Sequence, residues 1–237
     1  RSFVNGATVK FDGLAAIAAT VVSATSLTVV SPSITSAGVV DVQVITSGGS
    51  SDTSGSGDNF TYTAPVPTVT SLSPSTGPVT GGTTVTVTGT GFLSNATVTV
   101  GGTAVPGANV TVNSATSITI VTPATVTTGV ANVQVTTTGG GVSSTAGTGD
   151  DFTYTATVPT ITVLNPATGP TTGGTSVVIT GTGFITGAVV KFGSLTASSV
   201  TINSPTQITA VSPATTATGT VNVSVTTSGG ASTPAGM

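Results

Sequence analysis

Short segments in which apolar and polar residues alternate recur along the whole chain. Val, Ile and Phe take every second position, while Thr, Asn, Gln, Lys and Asp take the positions between them. A period of two points successive side chains to opposite faces of a β-strand, so each segment predicts a strand with one buried face. No window has a helical period of useful length, and we predict an all-β protein without helices of note. The segments are residues 40–44, 84–88, 97–100, 117–120, 131–135 and 221–225.

Turn-forming residues separate these segments at regular intervals. Gly-Pro and Gly-Gly pairs, such as those at residues 77–78, 81–82 and 101–102, supply the fixed or positive φ angles with which strands reverse. Roughly seven short strands in about 90 residues, bounded by such turns, are typical of an immunoglobulin-like β-sandwich.

The chain repeats itself with a period of 92 residues. The sequence Phe-Thr-Tyr-Thr-Ala stands at 60–64 and again at 152–156, and Gly-Thr-Gly-Phe stands at 89–92 and again at 181–184. A fixed period of this size indicates a tandem array of similar domains. We propose three units: the first repeat (residues 1–65), a partial sandwich without its first two strands; the second repeat (66–157), a complete sandwich; and the third repeat (158–237), a sandwich without its last strand.

The spacing of Pro, Gly and Phe in the second and third repeats resembles a known family. Residues 67–78, the Gly-Gly-Thr sequence at 81–83 and the Gly-Thr-Gly-Phe sequence at 89–92 return at 159–170, 173–175 and 181–184. The pattern is similar to the opening of IPT/TIG domains, the immunoglobulin-like domains of plexins, some transcription factors and many bacterial surface proteins. The resemblance covers essentially the whole chain and implies the sandwich fold, but sandwiches of this kind serve many functions.

The composition excludes several classes of function. Only 4% of the residues are charged, against about 25% in an ordinary soluble domain. Three cations cannot neutralise many phosphates, so we expect no nucleic-acid partner. The mean hydropathy is +0.48, yet no stretch approaches the ~20 apolar residues of a membrane-spanning helix, and we expect no membrane insertion of this segment.

Residues suited to catalysis are almost missing from the sequence. Cys, His, Trp and Glu do not occur, so the usual nucleophiles and general bases are lacking. Asp150 and Asp151, with Asp58 at the matching place in the first repeat, could join backbone carbonyls around Ca²⁺. Because calcium sites recruit more carboxylates, we interpret these residues as the polar start of a strand. We predict that the protein is not an enzyme, that it has no catalytic, metal-binding or cofactor-binding residues, and that it uses no cofactor.

Three further features have a structural and a functional interpretation. The glycines at 139–141 are followed neither by a helix nor by a Lys-Ser/Thr pair, so they indicate a turn rather than a phosphate cradle. Outward Thr residues could carry O-linked sugars, or Thr is present because it forms strands well. Four Asn residues precede an X-Thr or X-Ser pair and fit the glycan acceptor pattern, which chance also produces in such a sequence. They are Asn59, Asn95, Asn109 and Asn222.

The sequence favours a building role over a reactive one. Soluble sandwiches protect their edge strands with charge, which this chain barely has. We therefore expect a structural segment of an extracellular, cell-surface or secreted protein that associates with itself into a filament, sheath or surface layer. The alternatives are an adhesin or carbohydrate-binding module, and a passive spacer that carries another domain. The partial first and third repeats also fit completion by strand addition between subunits.

Overall fold

The computed structural model describes residues 2–34 and 37–233. Arg1 of the first repeat and residues 234–237 of the third lie outside the described residues. The described chain is built from β-strands and one 3-10 turn at Gly107–Asn109. The prediction of an all-β fold is confirmed.

The second repeat consists of two sheets that face each other. One has the strand order β13-β14-β10-β8, and the other has the order β12-β11-β15-β17-β9 with β16 beside β15. All pairs are antiparallel except β17 with β9. The strands are β8 (Thr68–Ser73), β9 (Thr76–Pro78), β10 (Thr84–Thr90), β11 (Thr97–Val100), β12 (Thr103–Ala104), β13 (Val110–Ser114), β14 (Ser117–Val121), β15 (Gly129–Thr137), β16 (Gly141–Val142) and β17 (Asp151–Thr155).

Alternation along these strands produces the core of the second repeat. In β10 the side chains of Val85 and Val87 are buried while the threonines between them are exposed. They pack with Ile118 and Ile120 of β14, and with Phe152 of β17 in the opposite sheet. Burying one such side chain contributes about 1.5–3 kcal/mol. The alternate apolar positions therefore join the two sheets.

The first repeat has a five-stranded sheet of order β2-β1-β5-β6 with β7 beside β5, and a separate hairpin β3-β4. Equivalents of β8, β9 and β10 are missing from its described residues. The sequence predicted that two of these three strands are missing. The strand that it did not predict is β9, which is short and has no alternation of apolar and polar residues. The strands are β1 (Thr8–Phe11), β2 (Leu14–Ala15), β3 (Ala18–Ser23), β4 (Ser26–Val30), β5 (Gly38–Thr46), β6 (Gly49–Ser50) and β7 (Asn59–Tyr62).

The third repeat has the sheets β18-β19-β23-β22 and β21-β20-β24-β25. Among its described residues no strand corresponds to β9 or β17. The alternating segment 221–225 predicted a strand, but β24 begins only at Val223, and no described strand pairs with residues 219–222. The strands are β18 (Thr160–Asn165), β19 (Ser176–Thr182), β20 (Val189–Phe192), β21 (Leu195–Thr196), β22 (Ser199–Ser204), β23 (Gln207–Val211), β24 (Val223–Thr227) and β25 (Gly230–Ala231).

The second and third repeats touch at one junction. Ile185, which follows β19, is 4% exposed and belongs to the core cluster of the second repeat. The backbone N–H of its neighbour Thr186 donates a hydrogen bond of 2.7 Å to the carbonyl oxygen of Val126. The two sandwiches therefore share apolar packing and a hydrogen bond.

Gly89 and Gly181 occupy matching positions where two strands come unusually close. A Cβ on Gly89 would collide with the carbonyl oxygen of Thr68 and with the ring of Phe92. A Cβ on Gly181 would collide with Thr160 and Phe184 in the same way. The spacing of Gly and Phe in the repeat therefore reflects a ring that packs against a bare backbone.

We predict that Gly89→Ala destabilises the second repeat by about 1–3 kcal/mol or more, because the extra methyl overpacks the contact with Thr68. The matched control is Gly107→Ala, where a Cβ meets nothing within 4 Å. Urea unfolding monitored by tyrosine fluorescence in a Tyr62→Phe background, where Tyr154 alone emits, measures the effect. Equal unfolding midpoints for the two alanine variants would contradict the prediction.

Candidate functional site

The candidate site is the seam in which the last strand of a sandwich lies. In the second repeat β17 fills it, antiparallel to residues 129–132 of β15 and parallel to β9. The backbone N–H of Thr153 donates to Ser75 O at 2.8 Å, and that of Val79 donates to Thr155 O at 2.9 Å. The strand is therefore held by hydrogen bonds on both edges.

The two aromatic side chains of β17 anchor the strand in the seam. Phe152 is completely buried, Tyr154 is 4% exposed, and their rings meet edge to face with centroids 5.0 Å apart. The hydroxyl of Tyr154 donates a hydrogen bond of 2.7 Å to the carbonyl oxygen of Pro123. Burial raises the pKa of this phenol above its ordinary value of 10.0, because the charged form loses its hydration.

Asp150 and Asp151, considered as calcium ligands above, both accept hydrogen bonds from the side-chain amide of one residue. Asn132 Nδ2 donates to Asp150 Oδ2 at 3.0 Å and to Asp151 Oδ1 at 3.3 Å. Asp150 is 1% exposed, and its carbonyl oxygen accepts from the N–H of Val133 at 2.8 Å. The two carboxylates thus fasten the start of β17 to β15. Over residues 2–34 and 37–233, no three acidic side chains come together as metal ligands.

The first repeat has the same seam, but its strand is held less well. β7 pairs with β5 alone, and Phe60 is 39% exposed where Phe152 is buried. Tyr62 keeps its hydrogen bond, donating to Pro32 O at 2.9 Å. Asp58 Oδ2 is buried and finds no hydrogen-bond partner.

The missing partner of Asp58 has an identifiable cause. The N–H of Asp12 donates to Asp41 O just as the N–H of Gly101 donates to Asn132 O, so Asp41 takes the position of Asn132. Asp41 lies opposite Asn59 in the ladder, as Asn132 lies opposite Asp151. A carboxylate at this position has no N–H to donate. The first repeat therefore places two acids where the second repeat pairs an acid with an amide.

In the third repeat the seam is an open groove with a cavity of about 350 Å³. It is lined by residues 167–171, the counterpart of β9, and by residues 217–221 and Val223, the counterpart of the first half of β15. Val177, Phe192 and Pro213, the counterpart of Pro123, also line it. The sequence predicted a third repeat without its last strand, but it did not predict this groove.

Other candidate residues lie apart from the seam or at its rim. The glycines at 139–141 lie in the turn between β15 and β16 and in the start of β16, and they face no helix. All four asparagines of the glycan acceptor pattern are exposed. Asn222 alone among them lies at the groove, next to Val221 and Val223 of its wall. In the described chain, no helix has the length and apolar character needed to span a bilayer.

Comparison with family models gives a match to the IPT/TIG domain at residues 67–154 and again at 159–236. The two matches cover most of the chain. The chain belongs to the IPT/TIG domain family. The resemblance inferred from the Pro, Gly and Phe spacing is thereby confirmed, and with it the immunoglobulin-like sandwich.

Solved structures with some likeness to this IPT/TIG chain are distant. SGBP-B from a complex xyloglucan utilization locus in Bacteroides uniformis is 22% identical with a TM-score of 0.34, over 72% of this chain and 49% of that protein. The surface glycan-binding protein PbSGBP-B from Prevotella bryantii is 17% identical with a TM-score of 0.38, over 72% and 41%. The full extracellular region of plexin A4 is 20% identical with a TM-score of 0.36, over 92% and 20%.

The IPT/TIG chain spans half or less of the length of these three proteins. Comparison with curated proteins gave no match. At these identities and scores, the solved structures add nothing to the family assignment.

We predict that the amide at position 132 governs the stability of the seam. Asn132→Asp should destabilise the second repeat by about 1–3 kcal/mol, because Asp150 loses its donor and faces a like charge. The reciprocal change Asp41→Asn should stabilise the first repeat by about 1 kcal/mol, because Asp58 gains a donor. Urea unfolding followed through Tyr154 for the second repeat and Tyr62 for the first measures each effect. Shifts of the same sign in both variants would refute this role.

A second prediction concerns Tyr154. Because burial raises its pKa, the neutral phenol stabilises the fold fully below the pKa of an unfolded tyrosine, about 10. That contribution is lost as the pH rises through the folded pKa. In a Tyr62→Phe variant, ultraviolet absorbance should give a titration midpoint above that of the same protein in urea. A folded midpoint at or below the urea value would show that the phenol is not buried.

Proposed function

We propose that this chain is a structural, non-catalytic segment of an extracellular surface protein, and that its sandwiches assemble into a filament, sheath or surface layer through strand edges and end-to-end contacts. The single observation that supports this best is the chemistry of the sheet edges. The long edge strands β8, β13, β18 and β22 have no charged residue and no proline.

Charge and proline on edges are the usual means by which sandwiches avoid pairing with each other. The two lysines that lie on strands are Lys10 on β1 and Lys191 on β20, and both strands have neighbours on both sides. The edges do have register shifts, as between Val112 and Ser114 of β13. Each shift limits the straight stretch to a few residues. Edge contacts are therefore short, and an assembly gains strength from their repetition along the array.

The exterior fits a passive, building role. Threonine hydroxyls on neighbouring strands form hydrogen bonds with each other. The hydroxyls of Thr68 and Thr90 lie 2.8 Å apart, and those of Thr160 and Thr182 lie at the same distance. Over the described residues, such a surface is polar and carries few charges. The junction through Ile185 supports end-to-end stacking, because it buries apolar surface between successive sandwiches.

Size-exclusion chromatography with light scattering, followed by electron microscopy, tests the proposal. We expect ordered polymers whose formation is concentration dependent. Lysines placed on two edges, Thr111→Lys on β13 and Thr201→Lys on β22, should suppress them, while Thr99→Lys on the inner strand β11 serves as the control. Monomers at every concentration would instead favour the passive spacer, and monomers that bind a glycan would favour the adhesin.

A further inference from the structure

We propose that the edge strand β22 (Ser199–Ser204) pairs antiparallel with β22 of a second copy of this chain, so that the sheets β18-β19-β23-β22 of two molecules join into one continuous sheet. This inference rests on the proposed assembly and deepens it, because it names the edge at which two molecules meet. The partner of the edge is the same strand of another molecule.

Most edges of the complete second repeat are protected against such pairing. On β8 the loop before β17 packs against the edge, where a Cβ on Gly149 would collide with the carbonyl oxygen of Thr70. β9 contains Pro78, and β12 and β16 have only two residues each. A covering loop, a proline and a short strand are all means by which a sandwich keeps other strands from its edges.

The remaining edge differs between the second and third repeats. In the second repeat a 3-10 turn precedes β13, and the N–H of Val110 donates to Gly107 O of that turn. Ten positions separate Val100, the last residue of β11, from Val110, whereas eight separate Phe192, the last residue of β20, from Val200. Over residues 193–198, which the structure describes, the third repeat has no such turn. β22 therefore begins without the turn that occupies a backbone donor of β13.

Two residues of β22 direct their backbone groups to the open edge. The carbonyl oxygen of Val211 on β23 faces β22, because it accepts a hydrogen bond of 2.9 Å from the N–H that precedes β22. Two residues earlier, Thr209 faces β22 as well, and its partner in the ladder is Thr201. In an antiparallel ladder, residues bonded to the neighbouring strand alternate with residues that face away from it. Val200 and Ile202 therefore present their N–H and C=O groups at the edge.

This edge is complementary to a second copy of itself. A twofold axis can place Thr201 opposite the Thr201 of the second copy, and Val200 of each molecule then lies opposite Ile202 of the other. Both residues face the new neighbour, so each such pair exchanges its backbone hydrogen bonds. Every outward N–H and C=O group of Val200 and Ile202 thereby gains a partner, as in β-strand addition between proteins.

The side chains of β22 match in the same register. Val200 and Ile202 are half-buried and pack against the core of the third repeat, so the joined sheet places apolar residues beside apolar residues on its inner face. Ser199 and Asn203 are exposed on the outer face, where they lie opposite each other. Asn203 Nδ2 donates to the hydroxyl of Thr209 at 2.7 Å, so this side chain turns toward β23 and leaves the edge uncovered.

The composition of the edge favours a second copy as the partner. No residue from 193 to 211 is charged, so two copies meet without the repulsion of like charges. A second copy also has the same alternation of apolar and polar residues. The register shift between Ile202 and Ser204 limits the ladder to a few residues. One contact is therefore weak, and its repetition in an assembly supplies the strength.

Disulfide trapping tests the contact directly, because the chain has no cysteine of its own. Thr201→Cys places a thiol on the twofold axis, where residues that face each other lie within reach of a disulfide. The matched control is Thr111→Cys at the counterpart position of β13, and both threonines are exposed. Under air oxidation, we expect the Thr201→Cys dimer to form at least ~10-fold faster than the Thr111→Cys dimer.

Two lysine variants in the Thr201→Cys background identify the edge. Ser199 on β22 and Ser176 on the inner strand β19 lie on either side of Val211 in one sheet, and both serines are exposed. Ser199→Lys places a charge on the edge, where lysine opposes pairing, while Ser176→Lys adds the same charge away from it. We expect Ser199→Lys to lower the rate to that of the Thr111→Cys control, and Ser176→Lys to leave it unchanged. Circular dichroism verifies that the variants fold.

A Thr201→Cys dimer that forms no faster than the Thr111→Cys dimer would overturn the inference. So would equal rates for Ser199→Lys and Ser176→Lys, because the molecules would then meet elsewhere. A mixed disulfide between the two cysteine variants that forms faster than the Thr201→Cys dimer would overturn it too, since β13 would then be the partner.

These results are distinct from failure of the proposed function. Polymers in the micrographs together with slow Thr201→Cys cross-linking would show assembly through other contacts. Fast cross-linking in a protein that forms dimers and no polymers would support the β22 contact and count against the filament.

Discussion

The burial of alternate apolar side chains between two sheets is the interaction on which the described sandwiches depend. The chain has no cysteine for a disulfide and only three cations for ion pairs. Val, Ile and Phe must therefore supply the stabilisation, and in the second repeat they form one continuous cluster. Among the described residues, the buried cluster of the second repeat is larger than that of the third.

The last strand of the sandwich is the element that varies most in its surroundings. The same Phe-Thr-Tyr sequence is buried and bonded on both edges as β17, but is half exposed and bonded on one edge as β7. The difference between β7 and β17 therefore comes from the neighbouring strands rather than from the sequence of the strand itself.

The surface chemistry and the seam lead to the same functional interpretation. Threonine hydroxyls of the exterior bond to one another, and the long edge strands have no charge to keep other strands from pairing with them. The acids that could have suggested a metal site instead hold β17 in place through Asn132. These polar side chains thus fix strands to each other. Self-association is a proposal, which the chromatography and microscopy test.

The sequence by itself determined the fold class, the family and the repeat, because alternation, turn glycines and the 92-residue period are local properties of the chain. It also located several of the longer strands, including β10, β11, β14 and β15. Only the tertiary structure decided that Asn132 bridges Asp150 and Asp151, that β24 starts two residues later than its alternation predicts, and that the third repeat contains a groove. These features depend on which strands lie side by side, and the partners of Asn132 lie 18 and 19 residues away in sequence. A local pattern indicates which segments can form strands, whereas the tertiary structure determines which neighbouring strand each segment pairs with.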